Sequence, residues 1–226
     1  MSETGFAKLR ATSVAVGPFS LLAALLYHPY IADLTDVSSV AAAMDRGNSR
    51  WAVAHIAVGV GFGLLLLSFL AVRSHLRAAG EERWSSMAVP FLVMGTVLFT
   101  FLPAMEVAMA AATRAGADPV ATQVELNTWF VPLLMSGALV FGIGIVLMAM
   151  ATVRSGVLGR DLGRIVATAL VVGALTRFVP RGAALYAGSV AAVIALLPFA
   201  IQMWSGEARA RIGGRSVLAA SRGGAR

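Results

Sequence analysis

A chain of 226 residues that is 58% hydrophobic and only 13% charged, with mean hydropathy +0.82, is too apolar for a soluble globular domain; such domains carry roughly 25% charged residues. Its net charge of +7 does not mark a nucleic-acid partner, because the basic residues stand at the ends of apolar runs and in the C-terminal stretch, where they act as topology signals facing anionic lipid. Cysteine is absent, which excludes disulfides, thiolate metal sites and cysteine nucleophiles.

The apolar residues gather in six runs of the length that crosses a hydrocarbon core of about 30 Å. The first, 11–27, follows Lys8 and Arg10 as a signal peptide would. No small-x-small cleavage site precedes His28-Pro29-Tyr30, so the run reads as a retained anchor. Pro18 lies inside it, and Pro29 ends it, since the residue before a proline avoids helical geometry. A loop over 30–50 follows, with a short interfacial helix expected at 38–44 and Ser38 or Ser39 as its cap. Further spans are expected at 51–72, at 86–112 with Pro90 and Pro103 inside, at 128–153 with Asn127 as N-cap, at 162–178 and at 183–204. A tight turn at 179–182 joins the last two. Residues 205–226, rich in Arg and Gly, read as a disordered basic cytoplasmic tail. The fold class is all-α, a single integral-membrane six-helix bundle over residues 1–204.

Orientation follows from the short loops. One side holds Lys8, Arg10, Arg73, Arg77, Arg83, Arg154, Arg160, Arg164 and the five arginines of the tail, 13 of the 18 basic residues. The other holds Arg46, Arg50, Arg114, Arg177 and Arg181. Both termini are therefore expected in the cytoplasm. The use of 17 Arg against a single Lys, with much Ala, Gly and Val, points to a GC-rich bacterial genome and hence to the bacterial cytoplasmic (inner) membrane. Trp51 and Trp129 on one face, and Trp84 and Trp204 on the other, suit interfacial belts. The spacing Gly59-x-x-x-Gly63 is one that lets helix backbones approach.

Ionisable residues are costly in hydrocarbon and mark functional sites by default. His28, His55, Glu106, Arg177 and Arg181 lie in or beside five different runs, and the topology places all five near the outer face. His55 lies about 6 Å below Trp51, and Glu106 about 9 Å from the outer end of its run. Glu106 is the only acidic residue inside any run. It should be protonated, paired or metal-bound, with Arg177, Arg181 or a histidine as partner. Tyr30, Trp51, Trp129, Arg177, Arg181, Tyr186 and His28 are the candidate ligand-binding residues around it, and Glu106 and His55 the candidate acid–base pair. A packing role for a Glu–Arg or Glu–His pair is the plain alternative. His75, on the opposite side with Arg73 and Arg77, reads as solvated.

No cofactor is required by the sequence. Two imidazoles and a carboxylate (His28, His55 and Glu106) suit zinc or non-haem iron, but no His-x-x-x-His or Glu-x-x-His spacing organises them. A haem held by His28 and His55 is the other option. No charged residue lies at mid-depth, which argues against a coupled ion pump. A shallow, outward-facing polar site for a small or lipid-like ligand fits the pattern best. The alternatives are a membrane-embedded acid–base enzyme, of isomerase or cyclase type, on an isoprenoid or lipid, and an accessory or haem- or metal-binding subunit. The partners expected are the lipid bilayer and such a ligand.

With His28-Pro29 closing the first run and Trp51-x-x-x-His55 opening the second, the chain resembles a broad group of uncharacterised multi-spanning actinobacterial-type membrane proteins. That resemblance covers the first two runs and implies the six-helix layout. The integral-membrane terpene cyclases are similar in size and architecture.

Overall fold

The computed structural model describes residues 3–223, with side chains described over 8–205. Of the disordered basic tail expected at 205–226, the side chains after Ser205 fall outside those described, and the backbone as far as Gly223 continues the last helix. The molecule is all-helical, with 87% of its residues in helices and no strand among those described. The helices are α1 (Glu3–Tyr27), α2 (Val37–Arg46), α3 (Asn48–Ala78), α4 (Arg83–Arg114), α5 (Pro119–Ser155), α6 (Arg160–Leu175) and α7 (Gly182–Gly223). Five are long and apolar enough to cross a membrane: α1 over Lys8–Tyr27, α3, α4, α5, and α7 over Gly182–Ser205. The sixth expected span, 162–178, is divided. α6 has 16 residues, about 24 Å, and a 3-10 turn at Thr176–Phe178 follows it. Val179 then adopts an extended backbone, as the residue before a proline does.

α1 packs on α3, α3 on α4, α4 on α5, α5 on α6, α6 on α7, and α7 returns to α1. Six helices thus close into a ring around one apolar core. Phe62 of α3 and Phe99 of α4 stack there with centroids 5.1 Å apart, and Phe141 of α5 meets Phe99 edge-on at 5.6 Å. α2 packs on α5 and on α3, and a second, smaller core gathers Ile31, Val40, Met44, Trp51, Met109 and Ala110. The loop after α1 is tied to the α6–α7 connection. Leu34 N donates to Pro180 O at 3.2 Å, Gly182 N donates to Ala32 O at 3.2 Å, and Arg181 forms an ion pair with Asp33.

Two helix starts differ from expectation. α2 spans the helix expected at 38–44, but its cap is Asp36, not Ser38 or Ser39. The Asp36 carboxylate accepts from Ser38 N at 3.1 Å and Ser39 N at 3.3 Å, and it also takes both serine hydroxyls. α5 begins at Pro119, nine residues before the expected 128. Asp118 caps it by accepting from Ala121 N at 2.8 Å, and proline at the first helical position loses no hydrogen bond. Asn127 is therefore inside the helix and accepts from Gln123 Nε2 at 3.1 Å.

The Asp36 cap carries a pH prediction. The hydroxyls of Ser38 and Ser39 and their backbone N–H groups hold its carboxyl down at about 2. A depressed carboxyl contributes stability above its unfolded value of about 4, and that contribution is lost as pH falls toward the folded value. Hydrogen exchange of residues 37–46, corrected for intrinsic rates, should be flat from neutral pH to about 4 and rise from there toward 2. In Asp36→Asn the rise should disappear.

Candidate functional site

The candidate site lies at the end of the ring where α1 stops, α3 and α5 begin and α4 finishes. His28 follows α1 directly and is half-buried. Burial lowers its pKa, so the imidazole is neutral near pH 7. Trp51 and His55 sit one turn apart in the first turns of α3, on one face. Trp51 is 2% exposed. Three rings meet here, with centroids 4.7 Å apart for His28–His55, 4.9 Å for His28–Trp51 and 4.6 Å for Trp51–His55. His28 Nδ1 lies 2.6 Å from Pro29 O, His55 Nδ1 lies 2.9 Å from Trp51 O, and the two Nε2 atoms are 3.4 Å apart.

Glu106 of α4 is 5% exposed, and its carboxyl faces the side chains of Trp51 and Gln123. Glu106 Oε2, Trp51 Nε1 and Gln123 Oε1 are nevertheless buried without a partner in hydrogen-bond geometry. Asn48 Oδ1 is in the same condition, while Asn48 Nδ2 donates to Ala110 O at 2.9 Å. Four of the six buried, unpartnered side-chain atoms in the described residues therefore belong to this end of the ring. Buried polar groups in folded proteins are almost always satisfied, and each orphan costs about 1–3 kcal/mol. One donor, the indole N–H, and the acceptors Glu106 Oε2 and Gln123 Oε1 gather at this end of the ring.

The pairings expected for Glu106 do not form. Among the described residues it makes no ion pair. Arg181 is taken by Asp33. Arg177 reaches into the core and lies over the stacked rings of Phe62 and Phe99, 5.5 Å and 6.0 Å from their centroids. The two histidines face each other, not Glu106. Tyr186 donates to Leu25 O at 3.0 Å, fastening α7 to α1, and its ring lies 6.0 Å from that of Tyr30. Tyr30, Tyr186 and Arg181 thus belong to the seam between the α1–α2 and α6–α7 connections. Tyr30 also lines an open groove with Ile31, Ser38 and Arg46. Trp129 is 71% exposed, on the outside of α5, and does not line the site. His75 is not simply solvated, since its Nε2 lies 3.1 Å from Gln202 Oε1 across α3 and α7.

Among the described residues no three of His, Asp and Glu are grouped closely enough to hold a metal ion. Glu106 therefore does not join His28 and His55 as a third ligand. Haem is excluded between the histidines on geometry. Two axial imidazoles stand about 4 Å apart across an ion with bonds near 2 Å, with a macrocycle between them, whereas these nitrogens are 3.4 Å apart and Trp51 packs on both rings. Gln123 and Asn48 were missed as site residues. Gln123 lies outside the apolar run, and recognising Asp118-Pro119 as a helix start would have carried α5 up past it.

In comparison with known proteins, the chain matches no family model, no curated protein and no solved structure.

Proposed function

We propose that this chain is a six-span protein of the bacterial cytoplasmic membrane, with both termini in the cytoplasm, which holds the polar head of a lipid-like ligand at Glu106, Trp51 and Gln123. The observation that carries the reading is the set of buried, unpartnered atoms on those three residues. A neutral head that both donates and accepts, such as a hydroxyl, satisfies the indole N–H and an acceptor at once. The apolar helices around the site suit a hydrocarbon body. The closed ring supports six spans, since α6 with its 3-10 turn and extended continuation occupies one full place between α5 and α7. An even number of crossings leaves both ends on one side, which the distribution of arginines assigns to the cytoplasm. His55, packed on Trp51, holds the indole in place and shapes the mouth of the site.

The test is photolabelling of the detergent-purified protein with a long-chain isoprenoid alcohol bearing a diazirine. Labelled residues should map to the site-bearing ends of α3, α4 and α5. Glu106→Gln keeps the shape but exchanges an acceptor for a donor, and should lower labelling about tenfold, equivalent to roughly 1.4 kcal/mol. Unchanged labelling in a well-folded Glu106→Gln protein would sink the proposal.

A further inference from the structure

The ligand reading above uses the packing of His55 on Trp51 but not the ring nitrogens of His28 and His55. Both Nδ1 atoms face backbone carbonyls, Pro29 O at 2.6 Å and Trp51 O at 2.9 Å. A carbonyl only accepts, so each Nδ1 carries the proton, and in a neutral imidazole the other nitrogen is then a bare acceptor. The two Nε2 lone pairs therefore face each other at 3.4 Å. The ring centroids are farther apart, at 4.7 Å, so the nitrogen ends tilt toward one another. Two lone pairs so placed repel unless a Lewis acid lies between them.

The spacing identifies the kind of acid. Two imidazoles on one tetrahedral ion, with metal–nitrogen bonds of about 2.0–2.1 Å, hold their nitrogens about 3.3–3.4 Å apart. A proton shared in a hydrogen bond draws the heavy atoms closer, to about 2.7–3.2 Å. Anchoring the second ring nitrogen on a carbonyl is also what fixes the tautomer and direction of metal-binding histidines.

We propose that His28 Nε2 and His55 Nε2 bind one divalent ion of the zinc class, leaving the remaining tetrahedral positions to water or an external donor. The surrounding charges permit it. α1 ends at Tyr27, so the negative end of its dipole lies beside His28. Arg50 opposes a cation, but it is exposed and engaged with Tyr27, through a 2.8 Å bond to its carbonyl and a guanidinium 5.3 Å from its ring centroid, so its repulsion is screened. The Trp51 ring, packed on both imidazoles, adds a π-face beside the ion. With two protein ligands the ion is exchangeable, unlike that of a four-ligand structural site. The inference stands apart from the ligand reading, because Glu106 is not a ligand to the ion.

The experiment is a cobalt(II) titration of the full chain in detergent, purified without a polyhistidine tag. One equivalent should bind with the visible absorption of tetrahedral cobalt and be displaced by zinc. His28→Gln and His55→Gln should each weaken binding at least tenfold. His75→Gln, at the opposite end of the ring, should leave it unchanged. Absence of stoichiometric binding, as a shared proton would give, overturns the proposal. So does binding that survives both substitutions in folded protein, or that is lost with His75→Gln. If either variant misfolds, X-ray absorption of the zinc-loaded native chain decides: two imidazoles in the outer-shell scattering are expected, and none or one refutes it.

Discussion

Trp51→Ala should lower the unfolding free energy of the detergent-solubilised protein by about 3–5 kcal/mol, the range for emptying a buried aromatic site. Trp51 is 2% exposed, belongs to the smaller core with Met44 and Met109, and is packed on both imidazoles. Its removal leaves a cavity and releases the two rings it orients. Trp51→Phe separates packing from hydrogen bonding. It keeps an aromatic ring but deletes Nε1, a buried donor without a partner in hydrogen-bond geometry among the described residues. Removing an orphan donor relieves a penalty, so in delipidated protein Trp51→Phe should cost less than about 1.5 kcal/mol or stabilise. The same substitution should abolish the rise in melting temperature that the isoprenoid alcohol produces in the native chain, since a ligand stabilises only the state it binds. Equal destabilisation by Phe and Ala would mean that Nε1 has a partner inside the protein, and the ligand reading would lose its main support.

The sequence was most legible in the dimension along the helix axes. Hydropathy sets how deep a residue lies, and depth alone was enough to put His28, Trp51, His55 and Glu106 at one end. It carries no information about azimuth, the direction in which a side chain leaves its helix. Glu106 therefore seemed to need Arg177, Arg181 or a histidine, the groups nearest to it by depth. The structure turns Arg177 onto Phe62 and Phe99 and gives Arg181 to Asp33. The acid that pairs lay in the loop over 30–50, whose contact with the α6–α7 connection is set by tertiary closure of the ring. Trp129 erred the same way, at a suitable depth but on the outer surface. The start of α5 was missed for another reason. Apolar content marks where a helix enters hydrocarbon, not where it begins, and the Asp118-Pro119 signal lies nine residues upstream of residue 128. Gln123 went unnoticed with it. Helix contacts were the least legible. Glycine spacing on α3 pointed to residues 59 and 63, yet a Cβ on Gly63 would meet nothing within 4 Å, and one on Gly59 would make ordinary contact with Pro103 at 3.5 Å.

Gly95 is a glycine that does matter for packing, and substituting it should disturb the largest helix interface of the core. α4 and α5 form the most extensive interface in the ring. A Cβ on Gly95 would lie 2.6 Å from the backbone N and Cα of Phe141. That obstacle is main chain within a helix, which cannot rotate aside as a side-chain tip can. Gly95→Ala must push α5 outward and should cost about 1–3 kcal/mol, the range for overpacking. The displacement would act on both layers of the bundle. Phe141 packs edge-on against Phe99, so separation of α4 from α5 loosens the aromatic core on which Arg177 rests. Nearer the site, the same movement draws Gln123 away from Glu106. Gly95→Ala should thus weaken isoprenoid labelling as well as stability, although residue 95 lies three turns from Glu106 (about 16 Å along the helix). Gly95→Leu should prevent recovery of monodisperse protein. Gly63→Ala is the matched control, a membrane-helix glycine facing open space, and should be neutral or stabilising by up to about 1 kcal/mol. Thermal unfolding of Gly95→Ala and Gly63→Ala beside the native chain in one detergent measures the contrast. Equal melting temperatures for Gly95→Ala and Gly63→Ala would show that α4 and α5 do not meet at this point, and the alignment that brings Gln123 to Glu106 would fail with it.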